Sequence, residues 1–566
     1  MDDLTRAVTR RLRSAGYQDV AVDCRDGVAA LAGTLLHWEA VVEAGHIAAE
    51  TPGVRSVYSE LTCPGVDLPK LPAARRRPQS PLCREPWDVV VVGAGVTGCS
   101  VARELARYDL RVIVVEAGDD VAGGATRANN GTVHCGLDPL PGSLKAKLNV
   151  QGNAMYPGLC AELGVSYRVP GLLGVVRSAD ELFLLDLVLA RAAENRVPGV
   201  VALRGAEAVR SLEPTLGGEI AGGFYSPTTG AVSPYGFTLA CAEQAAANGV
   251  SFLLDTAVTG VAVHAGRVRG VRTERGLLEA SWCVNAAGVW ADLIAASAGC
   301  REFTIHPRLG EMFVFDVRAR GHSRTIITPF GLAQDEYTKG GGAGPSACGN
   351  HIWGPTAVET WERRLTPTSR TGRAKVVAKF GELLPGADPA DIIAAYAGLR
   401  AVTYTEDFHI AHARGAGGLV NVAGMQSPGL AAAPAVALEV IRLLGEGGLP
   451  LRLRRHYAPR PTPPPRFSEL ADGELLQALI RTDPAWGRVV CRCEQVTEAE
   501  VKAAMQGPLG ARSVDAVKRR TRAGMGRCQG GFCGYRVATL LQERFGAVTK
   551  AGDGSPWLAG VISHGT

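Results

Sequence analysis

Four cysteines near the C-terminus have the residue type and spacing to hold metal. Cys491 and Cys493 stand in VVCRCEQV, and Cys528 and Cys533 in RCQGGFCG. A disulfide pair, a zinc site and an electron-carrying centre are the chemistries open to them. C-x-C with C-x₄-C does not match the paired spacings of a common zinc ribbon. A disulfide reading fails if the chain stays in the cytosol, where thiols are kept reduced. Cys491 and Cys493 lie on one extended or turning segment. The second pair sits in GMGRCQGGFCG, where bare backbone can approach a cluster and donate N–H groups to its sulfides. Four thiolates are the usual ligands of a [2Fe–2S] cluster, which is favoured here, with zinc the rival.

A second constellation opens at WDVVVVGAGVTGCSVARELARYDLRVIVVEAG. Val89–Val92 is a short apolar run suited to a buried parallel strand. Gly93, Gly95 and Gly98 follow as GxGxxG, with Val96 and Thr97 opening a helix whose apolar positions repeat at helical spacing. Gly93 permits the tight turn, Gly95 lets backbone approach a pyrophosphate, and Gly98 lets the helix pack on the strand. The pyrophosphate then sits at the positive helix N-terminus. RVIVVE is the next strand, and Glu116, followed by Ala117, is placed to accept hydrogen bonds from ribose hydroxyls. Strand, helix, strand and acid fall in order, so a dinucleotide site is expected. The motif does not choose between FAD and NAD. WCVNAAGVWAD, a strand running into a small-residue turn, and GLVNVAGMQSPGLAAAPAVALEVIRLL, a strand, turn and helix, favour FAD. Such a helix N-terminus can support negative charge on a reduced flavin, with Met425–Leu430 facing the ring.

The elements that position these residues fall into three segments. The chain has 566 residues, 46% hydrophobic and 20% charged, with a net charge of +5. That suits several globular domains and carries no clustered footprint for nucleic acid. The fourteen cysteines are too dilute for a disulfide scaffold. MDDLTRAVTRRLRSAGY lacks the apolar core of a signal peptide, and no long apolar run reads as a membrane span. The expectation is a cytoplasmic protein, with peripheral association at the inner membrane face left open. Two proline-rich stretches read as spacers, over 64–85 and 451–486.

The segment before the first spacer, residues 1–63, predicts the order α-β-β-α-β, with a hairpin turn at Asp26-Gly27. DGVAALAGTL and GVRSVYSEL resemble the BON domain, which is associated with membrane or periplasmic proteins and with phospholipid binding. With no export signal, a generic α+β accessory domain for oligomerisation or docking is weighed ahead of it.

Within 86–450, TRANNGTVHCGLDPLPGSLKAKLNVQGNAMY, YSPTTGAVSPYGFTLACAEQAAANGV and AGLRAVTYTEDFHI resemble the D-amino-acid-oxidase-like FAD superfamily. They look most like the branch of flavin-dependent glycerol-3-phosphate dehydrogenases and oxidases and L-2-hydroxyglutarate oxidases. The resemblance implies an α/β fold. A Rossmann-type FAD-binding domain (about 86–165, 236–305 and 395–448) would interleave with an antiparallel-sheet substrate domain of the glutathione-reductase-2 type (about 166–235 and 306–394). It implies cofactor contacts from Thr126, Asn129, Asn130 and Gly131, from Val258, Ala287 and Gly288, and from Gly424, Gly429 and Leu430. His134 matches the family's catalytic histidine, which takes a hydroxyl proton. Arg400 matches the arginine that binds phosphate or carboxylate, Lys339 a lysine lining the same site, and Ser427 a serine beside flavin and substrate. Each has a plainer alternative: Arg400 an ion pair with Glu406 or Asp407, Lys339 a solvated loop charge, Ser427 a turn residue. Asn130, Ala401 and the glycine-rich KGGGAGPSACGNHIWGP depart from the family pattern near the substrate pocket.

KRRTRAGMGRCQGGFC with CRCEQVTEAEV, within 487–545, resembles the bacterioferritin-associated-ferredoxin-type domain fused to the flavin subunit of anaerobic glycerol-3-phosphate dehydrogenase; residues 546–566 are a tail. The combined resemblance implies an FAD- and [2Fe–2S]-dependent dehydrogenase of sn-glycerol 3-phosphate. Its electrons would pass to a partner flavoprotein or quinone-linked subunit. The rivals are oxidation of an L-2-hydroxy acid, such as L-2-hydroxyglutarate, or an amino acid, and an electron-transfer or scaffold component whose substrate site has decayed.

Overall fold

A computed structural model describes residues 3–72, 85–332, 341–470 and 473–546. The N-terminal domain runs α1 (Asp3–Ser14), β1 (Ala21–Arg25), β2 (Val28–Thr34), α2 (Trp38–Ala49) and β3 (Ser56–Thr62), in the expected order. Val8 and Leu12 of α1 are buried, on the face that the sequence period predicts. β1 and β2 pair antiparallel across Asp26 and Gly27, both left-handed (φ 49° and 75°). β3 lies parallel to β2, which requires the crossover that α2 supplies. The core of this domain admits one residue from far along the chain, Tyr404.

The dinucleotide-binding sheet is built on β4 (Trp87–Val92), helix α3 (Val96–Leu105) and β5 (Val112–Val115). Its parallel strands lie in the order Ser251–Leu253, β5, β4, Gly276–Asn285, Leu419–Ala423. The chain leaves β4 toward β5 and returns much later on β4's other flank. That reversal opens a crevice at the carboxyl ends of the strands, the usual seat of a ligand in an open α/β sheet. Helix α4 (Leu144–Leu163) and the helix Gly429–Glu446, which also packs on α3, pack against each other. Their approach depends on Gly152, where a side chain would run into the backbone of Ala431.

A second sheet has nine strands, and it is the one expected to carry the substrate part. Its longest pair sets Ile305–Phe315 antiparallel to Ile392–Thr403, with Arg308 opposite Arg400 and Gly310 opposite Gly398. Side chains alternate along a strand, so Tyr396, Gly398 and Arg400 share one face.

The C-terminal domain has a short strand pair, Val489–Cys491 with Val496–Thr497, and helices Glu498–Ala504, Val514–Thr521 and Gly534–Phe545. Thr497 and Glu500 form a reciprocal capping box at the first helix. Val490, Val501, Val517 and Leu541 give the domain its own core.

The expectation of a spacer over 451–486 needs correction. Arg454 donates to the carbonyls of Tyr108 (2.7 Å) and Leu110 (3.0 Å), Ala458 to Asn248 (2.7 Å), and Arg460 pairs with Glu243 (2.6 Å). Arginines supply donors that the prolines lack, and the strap lies along the dinucleotide domain. Residues 461–466 form the longest wholly exposed run there among the described residues. Beyond them Gly473–Thr482 is a helix, and its Leu479 and Ile480 pack on Trp486 and Ala499 of the C-terminal domain. Among the described residues, no helix is long and apolar enough to cross a membrane.

Candidate functional site

The glycines of the dinucleotide turn do different work. Gly93 is left-handed (φ 98°), and a Cβ there would lie 2.6 Å from the Ala286 carbonyl. A Cβ on Gly98 would strike the Gly93 carbonyl. Both are glycine because the protein's own backbones touch. A Cβ on Gly95 would meet only Thr126 Oγ1, at 3.4 Å, and one on Gly288 (φ 58°) would meet nothing within 4 Å. These two keep space that the chain itself does not fill, a cradle fitted to a dinucleotide at the N-terminus of α3. Glu116 accepts from the amides of Ala94 and Gly118, both at 2.8 Å. Burial raises its pKa against those bonds, and the carboxylate is held rigidly at the end of β5.

Other expected cofactor residues divide the same way. Thr126 Oγ1 accepts from the Val96 amide at 3.0 Å, so that donor of α3 is already taken, while Thr97 is buried in the first turn of α3. Asn129 and Asn130 spend their side-chain oxygens on the amides of Gly131 (2.8 Å) and Thr132 (3.1 Å), as turn residues. Gly131 is required by contact with the Val232 carbonyl, and Gly424 by Asp407 O, 2.7 Å from where a Cβ would stand. Val258 and Leu430 are buried in hydrophobic cores, which leaves their backbones as the groups on offer. Ala117 is exposed beyond β5 and Ala287 half-buried beside Gly288. Gly429 opens its helix with nothing nearer than Met425, at 3.7 Å.

His134 follows the strand Thr132–Val133, and its carbonyl accepts from Asn149 (2.6 Å) and Asn153 (3.2 Å) on α4. Its ring is half-buried, with Nε2 3.4 Å from Ser427 Oγ and Nδ1 3.9 Å from an Asp138 oxygen. The sequence alone did not single out Asn149 and Asn153. Their signal was there: two asparagines one turn apart on the inner side of a helix.

Arg400 stands across the loop. Gly398, two residues earlier on its face, packs so that a Cβ would lie 2.6 Å from Ala128 Cβ, and Tyr396 donates to Asn129 O at 3.4 Å. The loop 125–130 is thus wedged between α3 and this face of the substrate sheet. The Arg400 guanidinium lies over Gly310, 2.5 Å from where a side chain would start. Its Nη2 donates to Thr356 O at 3.0 Å, and its Nη1 is buried without a partner. Burial lowers its pKa to about 10, so it remains a cation at neutral pH. The ion-pair alternative is excluded. Glu406 belongs to Arg308 (2.7 Å), and Asp407 accepts from the amides of Leu144 (3.0 Å) and Lys145 (2.8 Å) at the start of α4. Burial works against the charge of Glu406, but Arg308 holds it down to about 2. Its other oxygen accepts from Gln426 at 2.7 Å, which anchors the residue preceding Ser427. Lys339 lies outside the described residues.

The four cysteines of the C-terminal domain converge in two pairs. Cys493 Sγ and Cys528 Sγ are 3.7 Å apart, and Cys491 and Cys533 share a hydrogen bond. That bond, with the amides of Gly524, Glu494 and Cys493, lowers the Cys491 pKa to about 6 despite partial burial. The Phe532 amide likewise lowers that of Cys528. Amides aimed at sulfur favour thiolates, the form that binds iron. Gly526 is indispensable to the gathering, since a Cβ there would run into Cys493. None of the described cysteines is in a disulfide. Cys491 and Cys533 are buried, whereas Cys493 and Cys528 face outward beside Phe532.

This domain is fastened to the catalytic body by arginines. Arg520 grips Asp120 with bonds of 2.7 and 2.8 Å and reaches the Tyr235 hydroxyl. Arg522 joins Glu494 (2.6 Å) to Asn350 (2.7 Å), and Arg527 reaches Asp316 at 2.7 Å. The loop around Asp120 packs back on the glycine turn, with the Ala122 amide donating to Ala94 O at 2.8 Å.

Comparison with known proteins agrees with this geometry. The family described as FAD dependent oxidoreductase (DAO) matches residues 88–443, the BFD-like [2Fe-2S] binding domain 489–543, and the BON domain 2–64. The N-terminal segment is thus a BON domain, and the generic reading weighed ahead of it is set aside. A glycerol 3-phosphate dehydrogenase of Caloramator mitchellensis is 36% identical over 84% of this chain and 98% of its own length. One component of the anaerobic glycerol-3-phosphate dehydrogenase of Escherichia coli (strain K12) is 29% identical over 82% of this chain and 89% of its own. Among solved structures, the dithionite-reduced L-alpha-glycerophosphate oxidase of Mycoplasma pneumoniae with FAD bound superposes with a TM-score of 0.61 at 28% identity, covering 66% of this chain and 97% of that one. The cofactors are FAD and a [2Fe–2S] cluster, and the chain belongs to the DAO family of FAD-dependent oxidoreductases.

Proposed function

We propose that this protein is a dehydrogenase that oxidises sn-glycerol 3-phosphate to dihydroxyacetone phosphate and passes the electrons onward through its C-terminal domain. The observation that carries the reading is the buried Arg400 guanidinium with its unpartnered Nη1. A desolvated cation with a donor to spare matches a phosphate oxygen, and a guanidinium fork holds such a group in one orientation. His134 takes the proton of the substrate's secondary hydroxyl at Nε2, and the Ser427 hydroxyl beside it steers that oxygen. Asn149 and Asn153 fix the backbone of His134, so the base is positioned by a helix and not by loop packing alone. When bound, FAD supplies the acceptor for two electrons and the [2Fe–2S] cluster a carrier for one at a time. The electrons leave where Cys493 and Cys528 are exposed, beside Phe532 (55% exposed) and Tyr535 (64%). These aromatic surfaces offer a seat for an electron-accepting protein.

Anaerobic titration with glycerol 3-phosphate tests the proposal, following flavin absorbance and the EPR signal of a reduced cluster. Glycerol 3-phosphate should bleach the flavin and raise the signal; L-2-hydroxyglutarate and amino acids should leave both unchanged. A flavin that stays oxidised with glycerol 3-phosphate defeats the assignment. Arg400→Met should raise KM about 10- to 100-fold, the worth of one charged hydrogen-bonding partner, with flavin content unaltered.

A further inference from the structure

The junction between the N-terminal domain and the catalytic body holds two imidazoles in an arrangement that the reaction does not use. His46 on α2 directs Nδ1 at the Tyr404 carbonyl, at 3.0 Å. A carbonyl only accepts, so the proton is on Nδ1 and Nε2 carries a lone pair. His306, fully buried, directs Nδ1 at a Glu359 oxygen, at 2.9 Å. Arg308 binds the same carboxylate and keeps it an acceptor, so the His306 proton is also on Nδ1. Both Nε2 atoms are buried and without a partner. The rings meet edge to face, 5.0 Å apart at 88°. One ligand atom from each of His46, His306 and Glu406 lies within 4.8 Å of the others.

An imidazole whose Nδ1–H is held by a carbonyl or a carboxylate, with Nε2 left unpartnered, has the outer-shell arrangement of a metal ligand. Two buried, unpartnered ring nitrogens in adjoining imidazoles are otherwise a cost without compensation. We propose that His46, His306 and Glu406 bind a first-row divalent metal ion, zinc by its donor set, which staples the N-terminal domain to the catalytic body. Two imidazoles and a carboxylate suit zinc and leave a fourth position for water. Glu406 already accepts from Arg308 and Gln426, but each carboxylate oxygen has a second lone pair. Burial lowers the pKa of His46, so its imidazole is neutral and ready to ligate. Arg308 faces the site, and Arg400 stands near Arg308. The two cations oppose a third positive centre and set a modest affinity. Glu406 also holds Gln426, so the metal would couple the N-terminal domain to the turn that carries Ser427.

The inference is independent of the substrate proposed above. Its test uses the full-length protein with FAD and cluster in place, dialysed against a chelator, then against zinc chloride, then against buffer. Elemental analysis should find about one zinc per chain beyond the cluster iron, and the melting temperature should rise with zinc. His46→Asn, a change at a half-buried position, should abolish both effects while flavin and iron contents stay normal. Cobalt(II) in place of zinc should give visible ligand-field bands without a thiolate-to-cobalt charge-transfer band, which distinguishes this site from the four cysteines. Wild-type protein that retains no zinc overturns the proposal. So does equal zinc in His46→Asn, or a charge-transfer band that marks cysteine as the ligand.

Discussion

At the N-terminal junction an aromatic ring enters a neighbour's core; at the C-terminal junction arginines reach across a polar seam. The Tyr404 ring presses on α2 at Gly45, where any side chain would collide with it, and Trp38 meets Trp361 edge to face at 5.9 Å. Two backbone-directed bonds, Thr304 N to Val57 O (3.0 Å) and Ser59 N to Thr304 Oγ1 (2.8 Å), add to that seam, with exposed arginine pairs at its rim. The C-terminal domain has no comparable ring insertion among the described residues; it sets one aliphatic side chain, Leu509, in the dinucleotide domain's core, and Arg520, Arg522 and Arg527 supply its polar hold. Apolar burial is strong but weakly directional. A planar guanidinium in a paired geometry fixes orientation. The domain that carries the cluster is the one held chiefly by directional bonds, and its grip on Asp120 ties it to the loop behind the dinucleotide turn.

Four experiments sharpen or break this contrast. The largest effect belongs to Arg520→Ala. It takes the nearest cation from Asp120, which is 3% exposed and keeps the Tyr235 hydroxyl (2.7 Å) and Arg519 (3.9 Å), so the cost falls at the lower end of the about 3–5 kcal/mol of a buried ion pair broken on one side. Protease should then cut the 461–466 strap faster, and electron transfer from flavin to cluster should slow while substrate still bleaches the flavin. Unchanged transfer would mean that the arginine seam does not orient the domain.

Next comes Gly45→Val, which should displace Tyr404 at a cost of about 1–3 kcal/mol. A lower first melting transition with intact flavin reduction is expected; an unchanged melt would show that the ring insertion contributes nothing.

Acid should act next. His351 stacks on His322 at 4.3 Å, beside Asn350, the residue that holds Arg522. Burial lowers its pKa from 6.5 to about 3, so the folded protein keeps it neutral while the unfolded chain takes up a proton. Its contribution is complete above pH 6.5 and drains away as pH falls toward 3. His351→Gln should flatten the fall in melting temperature over that window, and an unaltered slope would reject the assignment.

The smallest effect is Arg301→Ala, which removes an exposed pair with Glu60 (2.9 Å) at the N-terminal seam. About 0.2–1 kcal/mol is expected, vanishing at high salt.

Much of this was legible in the residues. GxGxxG followed by Glu116 located the crevice, because strand, turn, helix and acid fall within one short stretch of sequence. The cysteine spacing with its glycine-rich loop located the second centre for the same reason. What escaped reading was non-local. Nothing near Arg400 says that Glu406 is already claimed by Arg308, from a strand nearly a hundred residues earlier. Nothing in the proline-rich strap says that Arg454 and Arg460 would lay it along the dinucleotide domain. Asn129 and Asn130 matched a cofactor pattern, yet their side chains serve their own turns. Motif position identifies the loop, and the fold decides which atoms of it are left over.

The bare strand position beneath Arg400 has one more implication. Gly310 touches neither substrate nor cofactor in any role assigned above, yet its missing methyl is what lets the guanidinium lie flat. Appending even one carbon there would push the positive charge outward and shorten the reach available to an anion. On the role proposed for Arg400, preference for a longer or shorter phosphorylated alcohol is adjustable from the neighbouring strand, by a residue that selection could alter without disturbing the proposed base, the dinucleotide cradle or the four thiols.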